Sequence, residues 1–400
     1  MKNLLKTTVC FTTMSLTAIL LPMNVMANEG EAKTITIAWA NIKESQQEIW
    51  EKYIFEPFEE KHPEVTIDFQ CLPDLQNTVR VQVAAGAGPD MFYMDSVDIP
   101  DYASTNRILS LENYRKEYNL DDSMYDWAIR SCVYEDEMYA LPASVEATAM
   151  TYNKNLLDQL GKDVPTNREE FVDVCNAALE AGLIPVSFGY SGLNLLLTWP
   201  YEHYLTCYAG GEKTAQLLKG EITFDDPDIK GAFELLKADW DAGYINDKKS
   251  GAITNDEARI LFANQKAVFN YEGPWMILAD GAAKTWDFEW GQCAWPSMKD
   301  GTPAGSAITL GEAIGINANS QVSDLCMEMM MDFYSNEELM AQAVAEGFST
   351  PAVPIDSAAY PEDMDENIRK ALDAQNENMN LEKLRSEVSI KYYPDGYKDL

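Results

Sequence analysis

Histidine is scarce in this 400-residue chain: there are two, His62 and His203. Neither stands in a nucleophile context such as Gly-x-Ser-x-Gly, and neither has a cysteine or histidine at metal-ligand spacing, so imidazole-driven hydrolysis and zinc binding lack their usual patterns. His62, just before Pro63, reads as a solvated helix cap, and His203 as a structural residue. The cysteines form no Cys-x-x-Cys pair, which again removes a metal site. No apolar run approaches the roughly 20 residues of a membrane-spanning helix, so no intrinsic span is expected. Internal repeats, low-complexity tracts and Gly/Ser linkers are also missing, which excludes domains strung on a flexible tether. Positive charge is short: 30 Lys and Arg stand against 65 Asp and Glu, a net charge of −35. Such a field repels nucleic acid and anionic membrane and favours neutral or cationic ligands.

What is present begins at the N-terminus. Lys2 and Lys6 precede an apolar stretch from Val9 to Leu21, then Pro22 and the small Ala27. A basic start, a short apolar middle and a small residue before a polar sequence mark residues 1–27 as a signal peptide and the protein as exported. Cys10 leaves with that segment. Because it lies inside the apolar stretch it is too early to be a lipidated cysteine, so a periplasmic or freely secreted protein is expected. Loss of Lys2 and Lys6 takes the charge to −37. The remaining cysteines (Cys71, Cys132, Cys175, Cys207, Cys293 and Cys326) are read mostly as free thiols. A mature chain of about 373 residues exceeds one core and implies two domains.

The periodicity of the first third is α/β. Thr34–Trp39 alternates as a strand. A helix follows, with Ile49, Tyr53, Ile54 and Phe58 on one face and Pro63 as its stop. Val65, Ile67 and Phe69 alternate again, Asp74 precedes a helix with Leu75, Val79 and Val83, and Gly86–Pro89 leads into the apolar run Met91–Met94. Strand, helix, strand, helix, strand implies a parallel sheet, whose ligand sites lie at the carboxyl ends of its strands. From Asn153 to Tyr244 the pattern is mainly helical, with starts at Asn167 and Asp225–Asp228 and strands at Leu183–Phe188 and Lys266–Asn270. Strands near Ala307–Ile316 precede a helix at Val322–Tyr334, whose Met327, Met330 and Met331 read as core, as do Trp286, Trp290 and Trp295.

Five strings then stand in a familiar order: GAGPDMFYMD (86–95), YALPASVEATAMTYNKNLL (139–157), TWP (198–200), FANQKAVFNYEGPW (262–275) and GEAIGINANS (311–320). Over most of residues 33 to about 352 the chain resembles the maltose-binding-like, carbohydrate-binding family of extracellular solute-binding proteins (family 1) that serve ABC importers. The resemblance implies a type II periplasmic-binding-protein fold, α/β, with two lobes around a ligand cleft. The first lobe would hold 31–145 and 308–350, the second 146–307 and 351–400, with Glu146 at a crossing. It also implies a monomer without catalysis, cofactor or metal, handing its sugar to permease subunits.

A sugar offers apolar C–H faces and a rim of hydroxyls, so its site needs aromatic plates and carboxylate or amide partners. The candidate ligand-binding residues are Trp39, Asn41, Tyr93, Asp95, Glu146, Trp199, Glu272, Trp275 and Glu312. By motif position Trp275 is the leading stacking plate, and Asp95 and Glu312 the leading hydroxyl acceptors. Two rival readings remain. A glycosidase would use two of these carboxylates as acid and base. The same fold could instead bind a cation such as a polyamine, which also takes carboxylates and aromatic walls. The matched strings contain no Arg, which argues against an anionic ligand.

Overall fold

The computed structural model describes residues 32–40, 42–189, 203–218, 220–246, 253–278, 281–305 and 307–379. The proposed signal segment, Asn41 and Trp199 lie outside the described residues. The described strands are β1 (Lys33–Ala40), β2 (Val65–Leu72), β3 (Met91–Met94), β4 (Val133–Tyr134), β5 (Glu137–Met138), β6 (Leu141–Asn153), β7 (Ile184–Ser187), β8 (Ala267–Glu272), β9 (Trp290–Cys293) and β10 (Ala307–Ile316). The α/β alternation expected for the first third is present, and β1 pairs in parallel with both β2 and β3.

The main sheet runs β2-β1-β3-β10-β6-β8-β7, with β9 on the free edge of β6. Strand β6 organises this order. Its first part pairs antiparallel with β10, from Leu141 opposite Ile314 to Thr148 opposite Ala307. Its last residues pair with β8, from Ala149 opposite Glu272, and with β9, from Met150 opposite Cys293. The other edge changes too, because Val145 donates to the Thr350 carbonyl and Ala352 to the Ala143 carbonyl before β9 takes over. A strand covered on both edges and both faces reads as a nearly continuous apolar run. In β6 all residues are buried except the partly exposed Glu146 and Tyr152. The sheet therefore has two halves that share β6.

Two large buried clusters pack on the sheet, and the first extends from one half into the other through Phe262, Ala267, Met276 and Trp290. Around β1 and β3 the buried cluster includes Ile37, Trp39, Trp50, Phe55, Phe92 and the methionines of helix Ser323–Tyr334, among them Met327, Met330 and Met331. Around β7 and β8 it includes Phe171, Phe188, Tyr204, Phe269, Tyr271 and Trp295. Helix Glu366–Met379 closes against β6 and β9, with Asn367 accepting from the Trp290 indole at 3.1 Å. Asn167 and Asp226 cap helices Arg168–Glu180 and Pro227–Ala242 through their side chains. Asp74 precedes helix Leu75–Ala84 without a side-chain cap.

The first long helix is interrupted: Glu44–Trp50 passes through a π turn, Glu51–Phe55, into Glu56–Lys61. The solvated role expected for His62 is corrected, because its ring is only 18% exposed, held between Glu64 and Glu328 and packed on Phe58. The six described cysteines are free thiols, and Cys132, Cys175, Cys207 and Cys326 are buried. Among the described residues no helix is long and apolar enough to cross a membrane.

Candidate functional site

The carboxyl ends of β1 and β3, the bulge in β10, the middle of β6 and the end of β8 meet where β6 changes partners. Strand β3 delivers Tyr93, whose hydroxyl donates to Asp95 Oδ1 at 2.7 Å. Strand β10 slips register on either side of Glu312, so Gly311 has no Cα partner on β6. The missing Cβ has a steric reason. A Cβ on Gly311 would sit 2.6 Å from Glu146 Cδ, far inside contact distance, so the Glu146 carboxyl lies directly against the Gly311 backbone.

Glu146 thus stands on the shared strand with acids on both sides. Burial pushes its carboxyl up to about 8, and the neighbouring Glu312, Asp95 and Glu272 charges push the same way. At neutral pH it is mainly protonated and offers a hydrogen-bond donor. Burial also raises Glu312, an effect tempered by the nearby Ser144 and Ser349 hydroxyls and the Trp39 indole. A cavity of about 20 Å³, room for roughly one water, lies between Glu312, Trp39, Trp50 and Ser349. The Tyr93 hydroxyl is raised well above its usual value by burial first, then by Asp95 and more distantly by Glu312 and Glu146.

From the other half, β8 ends at Glu272 and the turn Pro274–Met276 follows, packed on β6. Trp275 is partly exposed, and its Nε1 donates to Glu272 Oε1 at 2.9 Å. Glu272 itself is 1% exposed and engaged by Arg259.

Among the predicted site residues the structure therefore gathers Trp39, Tyr93, Asp95, Glu146, Glu272, Trp275 and Glu312 at one place, in two kinds of position. Tyr93, Asp95, Glu146, Trp275 and Glu312 keep exposed surface. Trp39 is corrected from a stacking plate to a core residue: it is 1% exposed, with ring centroids 4.6 Å from Trp50 and 5.5 Å from Tyr93. Glu272 is corrected from an open hydroxyl acceptor to a buried anchor. Arg259, Ser144 and Ser349 are not singled out from sequence: Arg259 reaches Glu272 by packing of helix on strand, and Ser144 and Ser349 stand near Glu312 through packing beside β10.

His203 lies behind the crossing. It is fully buried, 3.2 Å from Thr148 Oγ1 and stacked on Trp295 at 5.6 Å between centroids. Burial lowers its pKa to about 3. It is a neutral imidazole at any physiological pH, unsuited to proton transfer there.

Comparison with known proteins follows the same lines. The sequence model of the family described as bacterial extracellular solute-binding protein matches residues 43–338. The multiple sugar-binding protein of Streptococcus mutans is 24% identical over 324 residues, which is 74% of this chain and 70% of that protein. The maltotriose-binding protein of Pyrococcus abyssi is 29% identical over 76% of this chain, and the match spans 64% of that protein, a little under two thirds of its length. A solved chitin oligosaccharide binding protein superposes with a TM-score of 0.74 at 20% identity, covering 87% of each chain, which establishes a shared fold.

Proposed function

The chain belongs to the bacterial extracellular solute-binding proteins, and on that premise we propose that it captures a neutral sugar or oligosaccharide at the β6 crossing and delivers it to the permease of an ABC importer. One observation carries this reading: acids of both halves of the sheet, Glu312 and Asp95 from one and Glu272 with its Trp275 partner from the other, act on Glu146, on the one strand shared by both. A polyhydroxylated ring needs both an apolar plate and hydrogen-bonding groups of both polarities. Trp275 supplies the plate, Asp95 and Glu312 accept, and Glu146 with its proton donates. The names of the relatives, which are sugar-binding proteins, support the same ligand class.

The lobes implied by the resemblance, 31–145 with 308–350 and 146–307 with 351–400, are supported by the change of partners on β6 at Thr148 and Ala149. Ligand touching both lobes favours the closed arrangement by its differential contacts, and hinge closure of this kind is established for periplasmic binding proteins. The protein works outside the cytoplasm, as a receptor without turnover.

A thermal-shift screen tests this. A neutral oligosaccharide at 100 times its dissociation constant should add about 2.7 kcal/mol of stability, with no product after prolonged incubation. A shift by spermidine alone would replace sugar with a cation as the ligand, and product formation would replace the receptor with a glycosidase.

A further inference from the structure

A buried carboxylate needs a partner, because an unpaired charge taken out of water costs several kcal/mol. Glu272 is such a group, at the end of a strand whose six residues are all buried. Its partner is Arg259, one face across on helix Asn255–Ala263. Arg259 Nε donates to both carboxylate oxygens, at 3.1 and 2.9 Å, and an Nη closes on Oε1. The guanidinium is itself held from behind by Asp256 at 3.3 Å. A bidentate fork of this kind fixes the plane of the carboxylate as well as its position.

The orientation passes on to the aromatic plate. The same Oε1 accepts from Trp275 Nε1 at 2.9 Å. The indole folds back so closely over Gly273 that a Cβ there would lie 1.7 Å from Trp275 Cζ3. One edge of the ring is thus fixed by a carboxylate that cannot turn, and one face by a backbone that carries no side chain. Helix Asn255–Ala263 is in turn anchored by a capping box, with Thr254 Oγ1 accepting from the Glu257 amide at 3.2 Å and Glu257 Oε2 from the Thr254 amide at 2.8 Å.

We propose that Arg259 and Glu272 are positioning residues: without touching the ligand they set the angle of the Trp275 plate, and so determine which sugar faces the cleft accepts. This rests on the reading of Trp275 as the ligand's stacking surface. A plate locked before binding keeps the ordering cost out of the binding equilibrium and admits only ring faces that match its tilt.

Two arms test it on the whole protein. In the first, free of ligand, the protein is labelled with 5-fluorotryptophan and the Trp275 ¹⁹F resonance is identified by its loss in Trp275→Phe. A single narrow line is expected in the parent, and exchange broadening or several lines both in Arg259→Lys, which keeps the charge but loses the fork, and in Glu272→Gln, whose amide nitrogen cannot accept from the guanidinium. An unchanged line in Arg259→Lys and Arg259→Met overturns the lock. In the second arm, affinity for maltotriose is measured in a double-mutant cycle. Arg259→Met should weaken binding tenfold or more when Trp275 is present and less than twofold in the Trp275→Ala background. Equal losses in both backgrounds overturn the positioning role. If Trp275→Ala binds maltotriose like the parent, the plate reading and its specificity role fall, while the ¹⁹F line still reports whether the lock exists.

Discussion

The two walls of the cleft use the same residue types in opposite order. On the wall built from β1, β3 and β10, carboxylates stand in front and a tryptophan behind: Asp95 and Glu312 keep exposed surface, while Trp39, 1% exposed, lies beside Glu312 across a small cavity. On the wall built from β8, the tryptophan stands in front and the carboxylate behind: Trp275 is partly exposed and Glu272, 1% exposed, braces it. An indole set beside a carboxylate therefore presents an acceptor on one side and an apolar plate on the other. What decides is which member the sheet buries. Trp39 lies within β1, where side chains are enclosed by flanking helices, whereas Trp275 follows the end of β8 in a short turn.

Substituting each tryptophan breaks this comparison at its strongest point. Trp39→Ala removes a large core ring that touches Trp50 and Tyr93. It should cost about 3–5 kcal/mol of folding stability, read as a lower urea midpoint. Trp275→Ala removes a partly exposed ring and should leave the urea midpoint nearly unchanged. Ligand affinity should fall by about 1–3 kcal/mol, roughly 5- to 150-fold, measured by calorimetric titration. If Trp275→Ala were the more destabilising of the two, the assignment of front and back would be reversed.

Much of the fold was legible because local pattern and tertiary role agree. Strands β1 to β3, the methionine-rich helix Ser323–Tyr334 and the caps at Asn167 and Asp226 follow from alternation, helical spacing and side-chain oxygens. The gathering place of the site was legible from strand ends. The division of labour within it was not, because Trp39 and Trp275 both stand near strand termini and only the packing above each ring separates them. Arg259 escaped notice for a related reason: thirteen residues separate it from Glu272, a distance closed by packing of helix on strand rather than by any local period. Glu272 looked like an open acceptor for as long as its partner was unseen.

The crossing itself can be perturbed from the β10 side. In Gly311→Ala the new Cβ would meet Glu146 Cδ at 2.6 Å and Oε1 at 2.8 Å. Gly311 has no left-handed φ, so the backbone accepts alanine and the strain falls on Glu146. A loss of about 1–3 kcal/mol in stability is expected from the overpacking, measured by thermal unfolding. It should largely vanish when Glu146 is also replaced by Ala. A loss of the same size in both backgrounds would mean that Gly311 serves the bulge rather than the carboxyl.

The smallest effect separates the front of the crossing from its back by pH. Glu146, raised from 4.5 to about 8, binds more protons folded than unfolded between those values. Its contribution is complete below 4.5 and is lost as pH rises through 8. His203, lowered from 6.5 to about 3, has the opposite sign: its contribution is complete above 6.5 and is lost as pH falls toward 3. Between 4.5 and 6.5 the two oppose each other, so neither is visible alone. Between 6.5 and 8 Glu146 acts without His203, and stability should fall with rising pH by an amount on the order of 1 kcal/mol. In Glu146→Gln the melting temperature over that window should be flatter. Ligand affinity should follow the same course if the Glu146 proton is donated to the sugar. A melting temperature that falls equally steeply in the Gln variant would place the titrating group elsewhere than on the shared strand, and the front of the crossing would then be no more pH-sensitive than its back.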